Sequence, residues 1–388
     1  MLPCSCGKEA RYAGRRPKTF STVLGEMTLE RAYYHCEACA TGFCPRDRAL
    51  GLQDTSLSAA TTRMVGLSAA MVSFAESSEL MRELAGVPVD PKQVERVAKA
   101  LGREIADDER SVIEHESPFA PTMYLGMDGT GIPMRASELD GRKGKQSDGS
   151  AKTREVKLVV VWSAEGRDQD GIPVRDPGSV TYSAAIESAA SRDTDDVPSV
   201  FAQRADREAQ RRGFDQAERR VVIGDGAPWI WNLAGEQFPG AIQIVDLFHA
   251  KGHLSDVAKA IFGPRSNLGR QWAKRRHGEL DEGKLDALLQ ALRIHAETTD
   301  EARKCMDYVT KNRSRMNYPD FRARGLCVSS GVVEAGCKVA IGTRLKRAGM
   351  HWTLAGANAI IALRCCKLSG RFDDFWKRRS QAAESMAS

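Results

Sequence analysis

The feature that most limits what this chain can fold into is the order of short apolar runs between residues 121 and 249. "PTMYLGMDGTGIPMR" (121–135), "VKLVVVWSAE" (156–165) and "SVTYSAAIE" (179–187) are apolar or alternating and bounded by polar turns, which reads as three strands. "DTDDVPSVFAQRADREAQRRGF" (193–214) is an amphipathic helix. "RRVVIGDG" (219–226), "APWIWNLAGEQF" (227–238) and "GAIQIVDLFH" (240–249) then read as strand, short helix and strand. Three of the strand runs reach an aspartate: Asp128, Asp225 and Asp246.

Three meandering strands followed by alternating helix and strand is the order of an RNase H-like α/β domain, in which the first and fourth strands are neighbours. Asp128 and Asp225 would then share one site at the sheet edge. Neighbouring carboxylates repel, and they persist when a divalent cation neutralises them. All-oxygen ligands select Mg²⁺ or Mn²⁺, and two such ions about 4 Å apart suit in-line displacement at phosphorus. Taken singly, each Asp-Gly is ordinary turn chemistry. Only their joint occurrence on strands that this order makes adjacent raises the catalytic reading. A third acid is expected on a later helix. Glu334 follows the capping hydroxyls Ser329 and Ser330 and is the only acid between Asp320 and Asp373. A glutamate in a first helical turn also simply favours the helix dipole.

Five of the ten cysteines fall in the first 44 residues: Cys4, Cys6, Cys36, Cys39 and Cys44. Two close thiol pairs, Cys4-x-Cys6 and Cys36-x-x-Cys39, at the ends of a hairpin-like segment predict a structural zinc cage, with Cys44 or His35 as substitute ligands. Residues 1–50 are thus read as a zinc-ribbon-like head. Cys305, Cys327, Cys337, Cys365 and Cys366 are read as packing residues. Residues 53–117 are helical in pattern. Within them Gly86 ends one helix and Asp90-Pro91 starts another, which makes a helix-turn-helix or an ordinary helical hairpin. Lys92 and Arg96 lie on the thin basic face of the second helix.

The chain carries +6 overall, but residues 311–380 hold fifteen Lys or Arg against four acids. That +11 excess points to a polyanion partner, or else to a solvated helical surface. No apolar run reaches membrane-spanning length, and "MLPCSCGKEA" lacks a signal-peptide layout, so a cytoplasmic protein is expected.

The strings "MDGTGIPM", "GDGAPWIW", "VDLFHAKGHL" and "SSGVVEAGCKVAIGTRLKRAGMHW", behind a Cys-pair head, resemble a bacterial insertion-sequence DDE transposase of the ISKra type, related to the Mutator-like superfamily. The resemblance covers essentially the whole chain. It implies Asp128, Asp225 and Glu334 as a metal-binding triad, and it matches Asp246 and His249 to a C/D-x-x-H signature with a supporting role. It also implies an all-helical insertion at 255–325 between core segments 118–254 and 326–388. Two Mg²⁺ or Mn²⁺ ions would serve DNA cleavage and strand transfer, with transposon ends and target DNA as partners. A homodimer or higher oligomer associated with the nucleoid is expected. Lys338, Arg344, Lys346 and Arg347 are candidate phosphate contacts. Trp352 would stack on a base or pack internally. A nuclease or resolvase that cuts without joining, and a non-catalytic zinc-containing regulator, are the rival readings.

Overall fold

A long antiparallel hairpin opens the chain. In the computed structural model, strands β1 (Leu2–Pro3), β2 (Glu9–Thr22), β3 (Gly25–Cys36) and β4 (Thr41–Phe43) form a four-stranded sheet in sequence order. Helices α1 (Pro45–Ala49), α2 (Ala59–Met71), α3 (Phe74–Ala85) and α4 (Pro91–Ser111) follow. Gly86 ends α3 in the left-handed conformation, with φ 66°, which glycine adopts without strain. Asp90 caps α4 by accepting from the N–H groups of Lys92 and Gln93. The turn chemistry visible in the sequence thus sets both helix ends. The structure describes residues 1–385 apart from 53–54, 112–119, 145, 147–148 and 191–196. The change of character expected at Pro118, part of the loop after Arg135 and the expected start of the helix at 193 lie outside these residues.

The second part is a mixed α/β unit. Strands β5 (Thr122–Pro133), β6 (Thr153–Ser163), β7 (Gly166–Arg167), β8 (Pro173–Val174) and β9 (Thr181–Ala185) precede helix α5 (Val200–Arg211). Then come β10 (Arg219–Gly224), α6 (Pro228–Gln237) and β11 (Ile242–Val245). Helices α7 (Leu247–Phe262), α8 (Asn267–Asp281), α9 (Leu285–Ala296), α10 (Asp300–Asn312) and α11 (Tyr318–Ala323) succeed one another, followed by α12 (Gly331–Gly336) and α13 (Thr343–Leu345). A π-helical turn over Cys337–Gly342 joins α12 to α13.

The main sheet has the order β11-β10-β5-β6-β9. β5, β6 and β9 are antiparallel neighbours, whereas β10 is parallel to β5 and β11 to β10. The central strands are buried on both faces: Met123–Met127 of β5 and Val156–Trp162 of β6 are closed to solvent. Runs this apolar suit strands covered on both sides.

Helices α14 (Leu354–Leu368) and α15 (Phe372–Ser385) complete the chain. Ala355–Ser388 groups with Met1–Ser111, and the other unit is Val112–Leu354. The reason is steric and polar. A Cβ on Gly102 of α4 would lie 2.0 Å from the Ala359 carbonyl oxygen, so glycine lets these two backbones approach. Arg364 donates to the Ala70 carbonyl at 2.5 Å, Arg378 to Asp108 at 2.7 Å and Arg379 to Glu104 at 2.6 Å.

Candidate active site and candidate metal centre

The acids at the strand ends come together through register. Ile223 of β10 pairs with Gly126 of β5, and two residues further along each chain lie Asp225 and Asp128. Both are half-buried. Burial pushes the Asp128 carboxyl above its ordinary range, and the charges of Asp225 and Glu155 push the same way. Hydrogen bonds from the Cys337 thiol at 3.2 Å and the Gly129 N–H at 2.6 Å oppose that rise. Asp225 accepts from the Ala227 N–H at 2.8 Å, the turn use of an Asp-Gly, while Tyr308 of α10 donates to its backbone carbonyl at 2.8 Å.

Glu334 reaches this region through glycine-mediated packing. A Cβ on Gly126 would lie 2.1 Å from Val333 Cγ2, so α12 sits directly on β5. One on Gly336 would meet Tyr182, Leu158 and Val160 at 3.0 to 3.1 Å. Glu334 itself is exposed. Three residues on, Cys337 is buried and bonded to Asp128, and burial followed by the Asp128 charge pushes its thiol pKa up. The sequence reading took Cys337 for a packing residue. Its place beside a carboxylate follows only from how the helix lies on the sheet.

Asp246 has a definite structural task. It is 1% exposed. One carboxylate oxygen accepts from the His249 N–H at 2.5 Å, capping α7, and the other accepts from the Ser330 N–H at the start of α12. Its own N–H donates to the Gly224 carbonyl at 2.8 Å, next to Asp225. One residue, through its backbone N–H and its side chain, therefore ties the strand end bearing Asp225 to the helix bearing Glu334. The His249 ring stacks edge-on at 4.8 Å from His253, whose ring lies 4.5 Å from Tyr308.

The cations divide by burial. Lys338, Lys346 and Arg347 are exposed, and Lys346 donates to Thr130 Oγ1, two residues from Asp128. Lys92 and Arg96 are exposed on α4. Arg344 is wholly buried, with its guanidinium 5.4 Å from the Trp352 ring centroid, and Trp352 is 6% exposed and donates to the Leu345 carbonyl at 2.9 Å. Arg344 and Trp352 thus pack inside the unit.

In the other unit Cys4, Cys6, Cys36 and Cys39 converge, with all four sulfurs within 4.8 Å of one another. Cys4 and Cys39 are 3.6 Å apart, and Cys6 and Cys36 3.7 Å. Four sulfurs about 2.3 Å from a tetrahedral zinc ion would be separated by about 3.8 Å, so the cage could hold a metal such as zinc. Hydrogen bonds from Thr41 hold the Cys39 thiol down at about 6. Cys44 and His35 stand outside the group. Among the described residues these thiols are the set of three or more Cys, His, Asp or Glu side chains gathered in this way, and Asp128, Asp225 and Glu334 are not drawn together as tightly.

Residues 8–378 match the model of a family described as Uncharacterised protein family (UPF0236). A comparison with curated proteins gives no match. Among solved structures the chain is similar to the Drosophila P element transposase strand transfer complex, at 10% identity over 87% of this chain and 84% of that one. The TM-score is 0.26.

Proposed function

The chain belongs to the uncharacterised protein family UPF0236, and for it we propose a metal-dependent phosphoryl-transfer enzyme on DNA: a DDE transposase with an RNase H-like core. The observation that carries this reading is the parallel pairing of β10 with β5, which sets Asp225 and Asp128 at equal distances past a register pair. The sheet order, the all-helical stretch from Leu247 to Ala323 and the sequence resemblance to ISKra-type transposases support it. No helix among the described residues is long and apolar enough to cross a membrane.

The donor set fits hard divalent cations: it is all oxygen, and Asp225 already disfavours the charge on Asp128, a repulsion that Mg²⁺ or Mn²⁺ would relieve. Asp128, Asp225 and Glu334 would hold the ions. When bound, such ions activate a water or DNA 3′-hydroxyl and stabilise the leaving oxygen. The chain's own residues do the rest. Asp246 orients α12 through Ser330, and the Cys337 thiol holds the Asp128 carboxylate through its Oδ2 oxygen. Lys338, Lys346 and Arg347 offer exposed positive charge beside the acids for backbone phosphates. The thiol cage would hold a structural zinc, since four thiolates leave no position open for chemistry.

The test is DNA cleavage and joining with a substrate bearing the element ends, in Mg²⁺. Asp128→Asn, Asp225→Asn and Glu334→Gln should each lower the rate by orders of magnitude while DNA binding persists, because metal stabilisation supplies several kcal/mol and each ~1.4 kcal/mol is tenfold. A Glu334→Gln protein that melts normally and cleaves at the wild-type rate would remove Glu334 from the site. Cleavage without joining would identify a nuclease.

A further inference from the structure

A cavity of about 480 Å³ lies on the flank of Asp225, between the start of α6 and one face of α10. Gly226 and Trp231 wall one side. Lys304, Tyr308, Lys311 and Arg315 wall the other, at spacings of four, three and four that align them along one side of the helix and its 3₁₀ extension. This face is docked firmly on the Asp225 turn. Tyr308 donates to the Asp225 carbonyl at 2.8 Å, and Gly226, at φ +100°, lies so close that a Cβ there would sit 2.4 Å from the Tyr308 ring.

The polar groups in this cavity are mostly donors. Arg315 is held 4.8 Å from the Trp231 ring centroid and donates to Gln243 at 2.7 Å. Lys304 has an ion pair with Asp300 at 3.5 Å. The Lys311 ammonium is exposed and has no ion pair among the described residues. Trp231 is 7% exposed, and its indole N–H has no hydrogen-bond partner among the described residues. Asp307 is the single acid in the wall. Three cations, the Asn232 amide and an unpartnered indole N–H, set against Asp307 in the wall and Asp300 beside Lys304, make a receptor for an oxyanion.

We propose that this cavity is a phosphate subsite in which Lys304 and Lys311 hold a backbone phosphodiester of the DNA strand whose neighbouring phosphate faces Asp225. The inference rests on the proposed function for the choice of DNA as the source of the phosphate. It gives the helical insertion a positioning task, because α10 both grips the strand and is fixed to the Asp225 turn through Tyr308. Binding energy from a non-reacting phosphate would then orient the reacting one.

The experiment measures duplex DNA affinity of the full chain against salt, for wild type, Lys304→Ala/Lys311→Ala and Lys304→Arg/Lys311→Arg, with melting curves confirming folding. Losing two phosphate contacts should lower the magnitude of the log Kd against log salt slope by about 1.8, and the arginine pair should keep it. An unchanged slope and affinity in the alanine pair would overturn the proposal. A second arm adds inorganic phosphate. Thermal protection by phosphate in wild type but not in the alanine pair, with equal DNA slopes, would make free phosphate the occupant and also overturn it. Asp225→Asn, run in parallel, separates the two ideas. If that variant still cleaves, the catalytic reading falls while the slope decides the subsite independently.

Discussion

The two candidate metal centres are built by opposite routes. The thiol cage draws its ligands from the two ends of one hairpin, and the β2–β3 pairing that runs from Thr22 to Arg11 brings them together. The acids come from positions 128, 225 and 334, which approach one region of the fold only because β10 pairs beside β5 and α12 lies over Gly126. A site closed by local pairing depends on its ligands and its metal. A site closed by topology depends on residues that are not ligands at all, such as Gly126, Cys337 and Asp246.

Cys36→Ser/Cys39→Ser should remove the one zinc expected per chain, and with it a contribution on the order of 10 kcal/mol to folding of the head, as for small zinc domains. Elemental analysis and protease mapping would read this as loss of metal and new cuts within 1–50. An unchanged zinc content would end the assignment. A chelator should reproduce the effect in the head and leave the main sheet protected.

Asp246→Ala sharpens the other side. It leaves the Ser330 and His249 N–H groups without their acceptor, at about 1–3 kcal/mol for each buried group left unpaired. Denaturant unfolding should show that loss. Cleavage should fall, with a higher Mg²⁺ concentration needed for half-maximal rate, because Glu334 is no longer held relative to Asp225. Normal Mg²⁺ dependence in a destabilised protein would limit Asp246 to a cap.

The smallest effect has a distinctive sign. Burial raises the native pKa of Asp128 above its unfolded value. Protonation therefore stabilises the fold below the unfolded value, and that stabilisation is lost as pH rises through the native value. In metal-free buffer Asp128→Asn should raise the melting temperature at neutral pH, a gain that should vanish below about pH 3.9, where both states carry the proton, whereas in Mg²⁺ the same variant should lose cleavage. A lower melting temperature at neutral pH would show that Asp128 is a turn residue.

The sequence by itself determined what depends on neighbours along the chain. Thiol spacing announced the cage, Gly86 and Asp90 set the ends of α3 and α4, and the order of apolar runs led to β10 lying beside β5. Each is a matter of backbone conformation or period, which short stretches encode. Tertiary structure alone decided the rest. Arg344 and Trp352 sit in a basic stretch that looked like a phosphate-binding surface, yet both are buried. Which face of a short, π-interrupted helix turns inward is decided by what it packs on. Cys337 gave no signal beyond being apolar, and its bond to Asp128 spans 209 residues. The partnership of α14 and α15 with the N-terminal helices rests on a glycine that lets α4 meet Ala359 and on the contacts of Arg364, Arg378 and Arg379. Nothing in the sequence marks Lys304 and Lys311, whose helix α10 is fixed against the Asp225 turn through Tyr308, because a charge acquires a role from the distance to its counterpart, and chain spacing does not contain that distance.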